Sequence, residues 1–108
     1  MTDRVKINRG LKGVYFERSG VSHIDGSKGE LSYRGYSIHD LATYSTFEEV
    51  AYLLIHGELP KRKEFAAFDA KMKQARELPT AVYEVIRAAN DVHPTDVLRK
   101  VFSALAAI

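Results

Sequence analysis

The side chains best able to move protons near neutral pH are four histidines, His23, His39, His56 and His93, and their neighbours decide what each could do. His39 and Asp40 are adjacent, so on a helix they point in different directions and make a poor acid–base dyad. His93 and Asp96 are three apart and can meet around a helix start. Both also stand where the orphan amides of a first turn need acceptors, and capping is the simpler reading of the pair. His23 and His56 read as packing, hydrogen-bonding or helix-dipole residues rather than as catalysts. The chain has no His-Glu-x-x-His, no calcium-loop pattern and no cysteine, so no metal site is expected. Its serines lack both the Gly-x-Ser-x-Gly turn and a Ser-x-x-Lys motif, and no nucleophile is assigned.

One local electrostatic feature stands out. Arg4, Lys6, Arg9 and Lys12 outweigh Asp3 at the start of the chain, and Gly10 and Gly13 make the backbone beside them permissive. The run Arg9-Gly10-Leu11-Lys12-Gly13 can therefore bring amides and a guanidinium close to a phosphate group. A short basic Gly-x-x-Gly loop can also clamp a nucleotide backbone. A solvated flexible arm is the third reading of the same residues.

Two kinds of element must position these groups. In the first third, Gly13, Gly20, Gly26, Gly29 and Gly35 punctuate short pieces rich in β-branched and aromatic residues: Val14-Tyr15-Phe16, Val21 to Ile24 and Leu31 to Tyr33. Asp25-Gly26-Ser27-Lys28-Gly29 has the Asp-Gly chemistry that supplies positive φ, which predicts a β-hairpin over residues 21–34. So few short strands need something larger to lean on. From Ser37 the period becomes helical. Ser37 can cap a short helix over Ile38 to Tyr44, and Thr46-Phe47-Glu48-Glu49 has the form of a capping box. The helix it starts should bury Phe47, Val50, Ala51 and Leu54 and end at Gly57, with His56 at the negative end of its dipole. A third helix is expected over about Lys61 to Arg76, with Phe65, Phe68, Met72 and Ala75 inward. Val82, Val85, Ile86 and Ala89 mark a fourth, and His93-Pro94-Thr95-Asp96 opens a fifth. That fifth segment presents Val97, Leu98, Val101, Phe102, Leu105 and Ile108 on one broad apolar face. The expected fold is thus mainly α, an N-terminal β-hairpin followed by about five helices.

Composition bounds the rest. With 108 residues, 45% hydrophobic and 28% charged, the chain holds one domain at most and is neither a disordered polyelectrolyte nor a membrane protein. Its longest uncharged apolar run, Val50 to Ile55, is far short of the roughly 18 residues a spanning helix needs. The first residues show no apolar stretch behind their basic groups, so no secretory signal is read and a cytoplasmic address is expected. A net charge of +2 is too small to imply a polyanionic partner such as nucleic acid for the surface as a whole.

The order of motifs says more than any one of them. Arg9-Gly10-Leu11-Lys12-Gly13-Val14, followed by Ile24-Asp25-Gly26 through Tyr33-Arg34-Gly35-Tyr36-Ser37-Ile38, resembles the opening of citrate synthases. The resemblance continues through Thr46 to Pro60, Leu78-Pro79 and His93-Pro94-Thr95-Asp96-Val97-Leu98-Arg99, and covers essentially residues 9–107 in order and spacing. The bacterial and archaeal citrate synthase and 2-methylcitrate synthase branch looks nearest. Two positions depart from the pattern: Thr95 stands where methionine is common, and Ala106 stands near where the family often has glycine.

The resemblance implies a mainly α-helical, metal-free enzyme that condenses an acyl-CoA with oxaloacetate and holds no tightly bound cofactor, the coenzyme A thioester being a substrate. In that family an aspartate deprotonates the acyl group, one histidine stabilises the enol and another assists attack on the oxaloacetate carbonyl. Those residues lie beyond the matched region, so no catalytic residue is assigned here. One contact carries over: Arg9 matches the arginine of the family's Arg-Gly-x-Lys-Gly segment, which implies a contact with coenzyme A. Tyr33-Arg34-Gly35-Tyr36 marks the family but reads as a packed turn between hairpin and helix.

The fifth segment has no glycine, proline or basic residue in its final turn, which fits either an interrupted helix or a terminal helix that frays. Taken with the resemblance, residues 1–12 are expected to be a basic arm, and residues 13–108 the truncated N-terminal portion of a large helical domain. Such a piece should be inactive alone. Its alternative is a non-catalytic or split-enzyme subunit, and its partners would be a complementary C-terminal chain or a second copy of itself.

Overall fold

A computed structural model describes residues 5–15 and 17–108. Arg4 of the basic arm and Phe16 of the expected first strand lie outside the described residues. The architecture is mainly α-helical, with five helices and one small antiparallel sheet. The chain divides into two compact units, Met1–Lys61 and Arg62–Ile108.

The first unit opens with a single 3-10 turn, Arg9–Leu11, and then builds a three-stranded sheet in the order β1 (Ser22–Asp25), β2 (Glu30–Tyr33), β3 (Tyr36–Ser37). The β1–β2 hairpin falls where the sequence predicts it, with His23 opposite Ser32 and Asp25 opposite Glu30. In its loop the left-handed residue is Gly29, at φ 68°, and Asp25 shapes the first half through its side chain. One Asp25 carboxylate oxygen accepts from the Ser27 amide at 3.1 Å, the Ser27 hydroxyl at 2.6 Å and the Lys28 amide at 3.3 Å.

Two expectations for this region are corrected. Val14 and Tyr15 form no strand; both are exposed, just beyond Gly13, whose φ of 74° departs from the extended conformation a strand needs. The sheet also gains β3, too short at two residues to show a period. A two-residue link produces it: Arg34 at φ 47° and Gly35 at φ 88° give the paired positive φ values of a type I′ turn, which brings Tyr36 opposite Tyr33.

Helices α1 (Ile38–Tyr44) and α2 (Phe47–His56) start at their expected caps. The Ser37 hydroxyl accepts from the His39 amide at 3.3 Å. Thr46 and Glu49 close the capping box in both directions, at 3.3 and 3.1 Å. Gly57, at φ 88°, terminates α2. The buried face of α2 differs from expectation. Leu53 is fully buried, while Phe47 is 74% exposed. Val50 to Ile55 is apolar all the way round the helix, so periodicity alone does not choose a face.

In the second unit, α3 (Arg62–Gln74) half-buries Phe65, Phe68 and Met72, and α4 (Thr80–Ala88) packs on α5 (Pro94–Ala106). Ala75 lies beyond the end of α3 and is exposed. Val82 and Ala89 are buried, whereas Val97 and Val101 on α5 are half-buried. Among the described residues the buried apolar side chains are Leu41 and Leu53 in the first unit and Val82 and Ala89 in the second, with Leu53 and Val82 fully enclosed. No helix among them is long and apolar enough to cross a membrane.

Candidate functional site

Arg9 sits in the 3-10 turn with its side chain exposed, between Lys6 and Lys12, which are exposed as well. The turn is unusual in its backbone. Gly10, Leu11 and Gly13 all have positive φ, at 66°, 57° and 74°. For Leu11, which carries a Cβ, this conformation costs on the order of 1 kcal/mol or more. Hydrogen bonds hold the bend: the Leu11 amide donates to the Asn8 carbonyl at 3.2 Å and the Val14 amide to the Leu11 carbonyl at 3.0 Å. The result is a glycine-flanked corner in a segment that carries three exposed cationic side chains, Lys6, Arg9 and Lys12. Such a corner can meet a phosphate by charge and by amide donation.

A second concentration of chemistry lies on the sheet. Register aligns His23 on β1, Ser32 on β2 and Ser37 on β3 side by side, and residues directly opposite one another share a face. With Glu30 and His39 they line an open cavity of about 350 Å³, walled also by Leu31 and Gly35. Pairwise spacing in the chain gives no hint of this meeting; it needs the strand register and the turn at Arg34–Gly35. The groups can bind a polar ligand through imidazoles, hydroxyls and one carboxylate. The Ser37 hydroxyl accepts from the His39 amide as a helix cap, and among the described residues neither serine hydroxyl is hydrogen-bonded to an imidazole. Among the described residues no group of three or more histidines, aspartates or glutamates is placed to hold a metal ion.

The other two histidines serve local structure. His93 caps α5, its Nδ1 accepting from the Thr95 amide at 3.2 Å, and Asp96 reaches Arg99 at 3.4 Å instead of His93. His56 stacks on Tyr52 with ring centroids 4.2 Å apart in the last turn of α2. Thr95, where the family pattern commonly has methionine, contributes its amide to that cap and leaves α5 regular.

Arg34 is the residue that sequence reasoning undervalued. One guanidinium nitrogen donates to the Leu54 carbonyl at 3.0 Å, in the last turn of α2, and another reaches the Gly20 carbonyl at 3.5 Å. A cation there complements the negative end of the helix and satisfies a carbonyl that lacks an intrahelical partner. Its Nε is buried without an acceptor among the described residues. Arg34 therefore ties the sheet to α2 while its own backbone makes the turn into β3. A marker motif containing an arginine beside a glycine was the available signal, though not the bond.

Comparison with known proteins follows the same outline. The family model described as "Citrate synthase, C-terminal domain" matches residues 10–108. The chain is 45% identical over 101 residues to the 2-methylcitrate synthase of Shewanella oneidensis, covering 92% of this chain and 27% of that protein. It is 43% identical over 104 residues to the citrate synthase of Haloferax volcanii, covering 94% and 27%. The crystal structure of citrate synthase from Pyrobaculum aerophilum superimposes with a TM-score of 0.85 at 44% identity, over 91% of this chain and 24% of that one. The fold and the ordered motifs define a mainly α-helical segment that opens on a small antiparallel sheet. The chain belongs to the citrate synthase family, and it spans about a quarter of the length of the curated relatives it matches.

Proposed function

We propose that this chain supplies the N-terminal scaffold of an acyl-CoA:oxaloacetate condensing enzyme, a citrate synthase or 2-methylcitrate synthase, and is inactive by itself. The observation that carries this reading is the unbroken match over residues 10–108, set against relatives about four times as long. Condensation of a thioester with a keto acid needs a base at the acyl carbon and a donor on the developing enolate, in one water-excluded cleft. Among the described residues, polar groups gather at the Arg9 corner and at the cavity lined by His23 and His39, and both are open to solvent rather than enclosed in such a cleft.

In this reading residues 1–12 form a basic arm and residues 13–108 the N-terminal portion of the enzyme's large helical domain, working in the cytoplasm without a tightly held cofactor. Arg9 contacts a phosphate of the acyl-CoA, an assignment supported by its exposed guanidinium on a constrained corner flanked by Lys6 and Lys12. The test is direct. The purified 108-residue chain, incubated with oxaloacetate and either acetyl-CoA or propionyl-CoA, should release no free coenzyme A above the uncatalysed rate. Sustained turnover that tracks the chain's own mass on a sizing column would overturn the proposal.

A further inference from the structure

The start of α5 hangs on a single residue. Pro94, the first residue of the helix, has no amide hydrogen to donate. The amides that follow all turn back to His93: Asp96 donates to its carbonyl at 2.9 Å, Val97 to the same carbonyl at 3.2 Å, and Thr95 to its Nδ1 at 3.2 Å. The two bonds to the carbonyl do not titrate. The bond from Thr95 does, because Nδ1 offers a lone pair only while the imidazole is neutral and carries its proton on Nε2. Serine, threonine, asparagine and aspartate, the common caps, keep an acceptor oxygen across the neutral range. In this chain the acceptor is the one side-chain type whose ordinary charge change falls between about pH 5 and 8.

Protonation acts twice in the same direction. Nδ1 becomes a donor facing a donor, and a positive charge arrives at the positive end of the helix. The charged groups on the elements that meet here are Glu84 and Arg87 on α4, Asp91 in the link, and Asp96, Arg99 and Lys100 on α5. Asp96, the carboxylate of the first turn, is paired with Arg99 at 3.4 Å, and among the described residues no ion pair joins His93 to any of these carboxylates. The ring itself is exposed, so solvent protons reach it. We infer that His93 is a pH-sensitive latch on α5: neutral, it fastens the first turn to the link that follows α4, and protonated, it releases the Thr95 amide so that the turn frays. The effect bears on the second unit as a whole, because α5 packs on α4 and the buried apolar side chains there, among the described residues, are Val82 and Ala89. The latch works in the same way whichever reaction the assembled fold performs.

Nuclear magnetic resonance of the 108-residue chain at about pH 8 and about pH 5, the two sides of the imidazole range, tests it. At the higher pH the nitrogen shifts of His93 should show a bare Nδ1 and a protonated Nε2. Amide protection in the first turns of α5, corrected for the intrinsic pH dependence of exchange, should fall about fivefold at the lower pH, as for loss of one helix cap. His93→Asn keeps an acceptor that does not titrate and should hold the higher protection at both pH values. His93→Ala should show the lower protection at both. His23, His39 and His56 remain in each variant, so the change is referred to His93 alone. Circular dichroism at the higher pH checks that helix content is retained. Protection in the unsubstituted chain that is the same at both pH values overturns the inference, and so does a fall in His93→Asn as large as in the unsubstituted chain. The nitrogen shifts need no variant: a proton found on Nδ1 at the higher pH also overturns it.

Discussion

At the scale of single residues, charge and backbone conformation determine what this chain can do. Arg9 illustrates the first. If its guanidinium meets a phosphate of the acyl-CoA, Arg9→Ala in an intact enzyme containing this segment should raise KM for the thioester about tenfold, as expected for loss of one charge-assisted hydrogen bond. The KM for oxaloacetate and kcat should hold. Steady-state kinetics in both substrates reads this, and an unchanged thioester KM contradicts the contact. Asp25 illustrates titration. The Ser27 hydroxyl, aided by the Lys28 and Ser27 amides, holds its carboxyl below the ordinary value of 3.8. Because the folded pKa is depressed, the Asp25 contribution to the hairpin loop is present above about 3.8 and is lost as pH falls through the lower, folded value. The Ser27 and Lys28 amide resonances should therefore titrate with a midpoint below 3.8, and a midpoint above it would mean the loop bonds do not persist in solution. Neither the Asp25 bonds nor the meeting of His23 with His39 is visible residue by residue. Asp-Gly composition points to Gly26 for the left-handed position that Gly29 takes, and the cavity arises from pairing across three strands.

Elements were legible where their determinants are local. Ser37, Thr46 with Glu49, Gly57 and His93 all act on amides or carbonyls within a few residues, and α1, α2 and α5 begin or end where those residues stand. The capping box gives a matching prediction. Thr46→Ala removes the acceptor for the Glu49 amide and should cost about 1 kcal/mol, read as roughly fivefold faster amide exchange in the first turn of α2. Thr46→Ser should restore most of the protection. What was illegible depends on distant contacts. Six apolar residues in a row gave α2 no preferred side, so the burial of Leu53 and the exposure of Phe47 could not be chosen by period. β3 needs a non-glycine residue, Arg34, at positive φ, and that residue's guanidinium is held by Leu54, 20 positions along the chain. The bond and the turn form one device, since the side chain that closes α2 belongs to the backbone that reverses into β3. A substitution there would disturb both at once.

For the molecule as a whole, the deciding quantity is how little apolar surface each unit encloses. Among the described residues each unit buries two apolar side chains, a small return for ordering some fifty residues, because fixing a backbone costs on the order of 1–2 kcal/mol per residue. Hydrophobic burial is also the main source of the heat-capacity change on unfolding. A well-packed domain of about 100 residues shows a ΔCp of about 1.2–1.5 kcal/mol/K. The isolated chain should therefore unfold with a distinctly smaller ΔCp and a broad transition, and differential scanning calorimetry measures both. Addition of a polypeptide that covers the apolar faces should sharpen the transition and raise ΔCp toward the value expected for the assembled mass, because surface hidden at the contact is then exposed on unfolding together with the core. A sharp transition with full ΔCp in the isolated chain would mean that its enclosed surface is much larger than Leu41, Leu53, Val82 and Ala89 provide. The scaffold role would then lose its physical basis, since a unit stable by its own packing has no need of the remaining three quarters of the fold.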